Sequence, residues 1–200
     1  MVRRYCILIH MLKNALYAIL FGFAMEFQIN VLLHGSIGSM IGVIILYGLI
    51  GAATYHTVPY IMNRSKSLSN GFWYALTAHG LAGLLIIEWG FMGNTPWSVP
   101  LWLAPIAQAG MFSWWATIAV MPYVIRHPVM IPYKKKIFWY YGIYAVISTG
   151  LAIPLGMAPV ILLEPPVYLG FFYFYKKFAQ SLREHAQYAH LGKSSIISSE

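Results

Sequence analysis

The sequence predicts an all-α, polytopic membrane protein with six transmembrane helices and both termini in the cytoplasm. Three observations predict it. Of 200 residues, 60% are hydrophobic and only 9% are charged, and the mean hydropathy is +0.65. Soluble domains run near half apolar and a quarter charged, so this composition argues against a water-soluble globule, and against disorder as well. Second, stretches of roughly 20 apolar residues, the length of a spanning helix, fill the chain and leave no room for a separate soluble domain. Third, the basic residues fall in only four places.

The predicted spans run from about Asn14 to Ile29, Val31 to Met62, Gly71 to Met92, Pro100 to Val124, Ile137 to Ile153 and Val160 to Tyr175. A break from Pro154 to Pro159 separates the last two, because proline removes a backbone donor and marks a turn or kink. With a cytoplasmic N-terminus, residues 1–13, 63–70, 125–136 and 176–200 lie inside. All 13 lysines and arginines are there. The three outer connections hold none, so the positive-inside rule sets an even span count and the orientation. The net charge of +8 is therefore an address for the inner leaflet rather than a nucleic-acid surface. Attraction to anionic lipid follows, and the Lys134–Lys136 run adds to it.

Tryptophans agree with this map. Trp89, Trp97 and Trp102 sit at the outer boundary, Trp73 and Trp139 at the inner one, where amphipathic rings prefer to lie. Trp114 and Trp115 are deeper and read as packing or pocket residues. The domains expected are a bundle over 1–175, a cytoplasmic amphipathic helix over 176–192 and a flexible tail over 193–200. Phe178, Leu182, Ala186 and Ala189 give that helix its apolar face, and Gly192 stops it. Cys6 is alone, which excludes an internal disulfide. Arg3, Arg4 and Lys13 precede the first apolar run, but no small-x-small site closes it, so an uncleaved anchor is expected.

Ionisable side chains at membrane depth are costly and usually functional. Glu26, His34, Glu88 and Glu164 fall in the outer half, His56 and His79 in the inner half. His56 and His79 lie at similar depth on adjoining helices. Each stands in a stripe of small residues, Gly48-Ala52-His56 and Ala75-His79-Gly83, that lets a flat macrocycle or another backbone come close. Two such imidazoles can ligate one haem iron; equally, they can be buried, hydrogen-bonded packing residues. His34 precedes Gly38 and Gly42, a GxxxG pair, and reads either as a ligand or as an interfacial, solvated side chain. Glu26, Glu88 and Glu164 form a candidate proton or ion path, with Pro165 and Pro166 freeing carbonyls beside Glu164. There is no HExxH, phosphate-binding glycine loop, GxSxG or CxxC motif.

Four fragments resemble the catalytic subunit of haem–copper oxidases and nitric oxide reductases. They are His34-Gly35 opening a long helix, Gly51 to Pro59 with its Tyr-His-Thr-Val-Pro end, Phe72-Trp73, and Glu164-Pro165-Pro166-Val167-Tyr168. The resemblance covers about a quarter of the chain and implies that His34 is a low-spin haem ligand. The departures are that position 164 is Glu where the family has a copper-ligating His, that no His-His pair follows, that the later ligand-bearing helices are missing, and that the His34–Pro59 spacing is longer. The resemblance thus implies a reduced relative or one part of a split assembly, not a complete oxidase.

Three functions follow as expectations. The first is a b-type haem protein or respiratory-complex subunit of the plasma or inner membrane. It would ligate haem b through His34, His56 or His79 and exchange electrons with quinone or a partner subunit. The second is a small transporter or channel subunit that moves a proton, metal ion or solute through Glu26, Glu88, Glu164 and His34. The third is an accessory subunit whose glycines and aromatics serve assembly with other membrane subunits.

Overall fold

The computed structural model describes residues 2–98, 100–156, 167 and 170–185. Every regular element among them is helical: α1 (Val2–Glu26), α2 (Ile37–Asn63), α3 (Leu68–Ala82), α4 (Ala104–Arg126), α5 (Ile131–Leu155) and α6 (170–185). Two wide π-helical segments extend α1 and α3, over Phe27–Leu33 and Gly83–Met92. Four helices are long and apolar enough to cross a membrane: Tyr5–Ala24, Ile37–Asn63, Leu68–Met92 and Pro128–Leu155. The α4 helix is less apolar, with Gln108, Ser113 and Thr117 among its residues. It is also the most enclosed, burying Trp114 through Pro122 as an unbroken run. A helix surrounded by other helices does not need a lipid-soluble surface.

The distribution of polarity is inverted relative to a soluble bundle. Ile41, Ile45 and Leu49 on α2 and Val146 and Ile153 on α5 are exposed, whereas Asn14, Gln28, Ser69, Thr117 and Ser148 are buried. In lipid, apolar side chains face outward without cost, and polar ones bond between helices. Gln28 Nε2 donates to Ser148 Oγ at 2.7 Å and Thr149 Oγ1 at 2.8 Å, and Tyr175 donates to Thr117 Oγ1 at 3.0 Å. The apolar centre is an aromatic stack. Phe21 meets Tyr141 and Phe171 edge-on, and Phe72 meets Phe178 at 4.8 Å between ring centroids.

The element boundaries differ from expectation in one informative place. The second span was expected from Val31, yet α2 starts at Ile37, and residues 27–33 continue α1 as a π-helix. The Tyr141 hydroxyl donates to Phe21 O at 2.9 Å and accepts from Ala24 N–H at 3.3 Å. A side chain inserted into the backbone ladder is a recognised cause of helix distortion, and the wide turn begins three residues later. Gly35, at φ 62°, makes the reversal, and the Ser36 hydroxyl caps α2 by accepting from Ser39 N–H. The expected fifth span, Ile137–Ile153, lies inside a longer α5 that carries Pro154 and ends at Gly156. Most of the expected sixth span, including Glu164, and the tail from 186 onward lie outside the described residues.

Antiparallel packing sorts the ends of the bundle. At one end Arg126 donates to His10 O and Asn14 Oδ1, both at 2.6 Å, and its guanidinium lies 5.5 Å from the Tyr55 ring centroid. Arg183 of α6 donates to Ser69 Oγ at 2.8 Å, and His127 packs edge-on against Phe178. Lys134, Lys135 and Lys136 begin α5 nearby in sequence. At the other end stand Glu26 and Glu88.

His127 gives this basic end a pH dependence. Burial against α6 lowers its pKa below the usual histidine value, and the neighbouring His185 lowers it further. The folded state therefore prefers the neutral ring, and stability falls as pH drops through about 6.5, the ordinary histidine value, toward the lower folded value. Thermal melting in detergent should show a larger loss between pH 7.5 and 5.5 for the native chain than for His127→Gln. Equal losses would assign the effect elsewhere.

Candidate functional site: a buried carboxylate network

The charged end is built where the two π-segments meet α2 and α4. Glu26 is the last residue of α1, and Glu88 lies midway along Gly83–Met92. Each is only 9% exposed. From the sequence, Glu26 was expected to be wet and Glu88 to reach outward; both instead turn into the bundle. Wide i→i+5 turns are rare and concentrate at functional sites. Here each of the two carries one of the buried carboxylates.

Every donor found on these carboxylates is neutral. The Tyr47 hydroxyl donates to Glu26 Oε1, and Asn30 Nδ2 donates to Oε2 at 2.7 Å. Trp115 Nε1 donates to Glu88 Oε1 at 2.8 Å, and Asn94 Nδ2 donates to Oε2 at 2.7 Å. All four oxygens thus accept a hydrogen bond. Trp114 Nε1 reaches the Tyr47 oxygen at 3.4 Å, and the Tyr47 ring lies edge-on to Trp115 with centroids 5.7 Å apart. Tyr47, Trp114 and Trp115 therefore form one aromatic wall that touches both carboxylates. Outside it, Trp89 Nε1 donates to Gln108 Oε1 at 2.6 Å, and Gln108 Nε2 donates to Asn94 O at 3.2 Å, which fixes the loop holding Asn94.

Local sequence explains the placement. Glycine at 83 lets Trp115 lie against the α3 backbone: a Cβ there would come within 2.2 Å of the Trp115 side chain. Glycine at 22 does the same for the Tyr47 ring, at 2.3 Å. Gly93, at φ 74°, ends the second wide turn and brings Asn94 back so that its N–H reaches Glu88 O at 2.8 Å. Sequence reasoning singled out the glutamates but not Tyr47, Asn30, Asn94 or Gln108. The pair Trp114-Trp115 was the available signal, since a buried indole N–H needs an acceptor.

The remaining candidates are placed apart from this network. His34 is exposed at the end of the first wide turn, and its backbone N–H bonds Ile29 O at 3.2 Å. His56 is exposed and lies edge-on to Tyr55. His79 uses both ring nitrogens within the protein, Nδ1 with Ala75 O at 2.7 Å and Nε2 with Thr57 Oγ1 at 2.8 Å. His79 therefore meets the neighbour of His56 and not His56 itself. The small stripes are also filled: Gly83 by Trp115, the adjacent Gly80 by Phe112, and Gly48 by Ile19. A haem between His56 and His79 does not fit these residues, because His79 has no free nitrogen and the space beside it is occupied. Among the described residues no group of three His, Cys, Asp or Glu side chains comes together for a metal ion.

Comparison with known protein families, with characterised proteins and with solved structures gives no match to this chain.

Proposed function

We propose that this chain is a six-span integral membrane protein, oriented with its basic end in the cytoplasm, that carries protons through the Glu26–Glu88 network. The observation that supports this reading is a pair of enclosed carboxylates at the end of the bundle remote from the Arg126 cluster, each held only by neutral donors. A buried carboxylate without a cationic partner is costly, and the cost is relieved by taking up a proton or another cation. The donors satisfy the ionised form, so a proton can leave without stranding the charge. A carboxylate–phenol–indole arrangement suits a proton better than a metal ion, which needs several convergent ligands. Tyr47 adds a group that donates to Glu26 while it accepts from Trp114, the property required of a relay between sites. The reading needs neither haem nor quinone.

The test is proton uptake into liposomes that hold the purified chain and a trapped pH-sensitive dye, driven by a potassium diffusion potential. The native chain should acidify the lumen at least about tenfold faster than empty liposomes, and Glu26→Gln with Glu88→Gln should fall to the empty rate. Glutamine keeps an acceptor for Tyr47 and Trp115, so the bundle is spared while the titrating group is lost. A native rate equal to that of empty liposomes, or an unchanged double variant, would overturn the proposal.

A further inference from the structure

The basic end carries a groove that the proton reading does not use. It has a volume of about 590 Å³ and is lined by Ile131, Lys134, Lys135, Phe138 and Trp139. This is within the usual range for a small-ligand site. The lining residues share one face of α5, at spacings of three and four. Along that face the chemistry is ordered, with two ammonium groups followed one turn later by two aromatic rings. The wall is pinned from α1: the Lys134 ammonium lies 5.5 Å from the Tyr17 ring centroid, and Phe138 packs on the same ring at 5.9 Å. The described carboxylates are engaged elsewhere, Glu26 and Glu88 in the network above and Glu184 with Gln180. The groove is therefore a positive pocket without an anion from the described chain.

We propose that this groove is a binding site for one anionic phospholipid, whose phosphate takes Lys134 and Lys135 and whose glycerol and upper acyl chains lie along Phe138 and Trp139. The match is by charge and by depth. Ammonium groups near a membrane surface attract anionic headgroups, and exposed tryptophan, as Trp139 is at 63%, prefers the layer just beneath them. A phosphate ion alone would satisfy the lysines but leave the aromatic half of the groove unused. This inference stands apart from the Glu26–Glu88 reading, and either can fail without the other.

Native mass spectrometry of the full chain in detergent is the test, with phosphatidylglycerol, phosphatidylcholine or inorganic phosphate added. The native chain should retain one phosphatidylglycerol at least tenfold more than phosphatidylcholine. Lys134→Gln with Lys135→Gln should remove that preference, and Lys134→Arg with Lys135→Arg should restore it. Lys176→Gln with Lys177→Gln, a pair on α6, should leave it unchanged. Equal retention of the two lipids, an equal loss in the α6 pair, or full displacement by millimolar inorganic phosphate would each overturn the proposal.

Discussion

Replacing Gly71 with alanine should destabilise the protein by roughly 1–3 kcal/mol, toward the upper end of the usual overpacking cost. A Cβ at this position would lie 2.4 Å from Met62 O and 2.6 Å from Met62 Cα. The obstacle is the backbone of α2 and not the end of a flexible side chain, so relief requires the α2–α3 hairpin to open. That opening would pull Phe72 away from Phe178 and Tyr175, which are part of the main apolar cluster. Alanine is the better helix former by about 1 kcal/mol, so local propensity works against the predicted loss and sharpens the test. Gly42 is the control. Nothing lies within 4 Å of a Cβ built there, and Gly42→Ala should be neutral or slightly stabilising. Thermal melting in detergent, followed by tryptophan fluorescence, compares the two. If both alanines melt like the native chain, the close approach at Gly71 does not hold the hairpin.

Replacing Tyr47 with phenylalanine should cost about 3 kcal/mol and stop proton uptake together. The ring is buried against Gly22 and between Trp114 and Trp115, and phenylalanine fills the same space. The loss is therefore that of the hydroxyl, which donates to Glu26 and accepts from Trp114 Nε1. A hydrogen bond to a charged group contributes about 1.5–3 kcal/mol, and leaving the carboxylate oxygen buried without its donor adds to this. Neutralising the carboxylate should remove much of the penalty. In a double-mutant cycle, Tyr47→Phe and Glu26→Gln should couple by about 1 kcal/mol or more, as residues in one network do. Additive losses would separate Tyr47 from the carboxylate. A Tyr47→Phe chain that melts normally but moves no protons would instead isolate the relay role from the structural one.

The outline of the molecule was legible in composition and charge. The exposed Ile41–Ile45–Leu49 face and the Arg126 cluster at one end are what hydropathy and charge bias encode. Glu26 and Glu88 were also legible, because a carboxylate at depth is expensive wherever it points. Their direction was not. Hydropathy gives no sign that Tyr141 enters the α1 ladder, or that residues 27–33 and 83–92 wind with a wider turn. The glycine and alanine stripes misled for a related reason. A small residue states that something approaches the backbone closely, not what approaches. At Gly83 and Gly80 it is an aromatic ring from α4, whereas the sequence reading left room there for a macrocycle. The pairing of His56 with His79 used depth along the axis but not the angle around it. Thr57, one residue on, takes the bond to His79 because neighbouring residues point about 100° apart.

The wide turns carry a consequence for chain length. An i→i+5 turn holds one residue more than an α-turn, so deleting a single residue between Phe27 and Leu33 would let ordinary winding resume. Everything after the deletion would then swing by about 100° relative to α1. Asn30 could no longer face Glu26, and the reversal at Gly35 would aim α2 along another heading. Shortening the chain there by one unit should thus damage the molecule more than exchanging any single side chain in the same stretch.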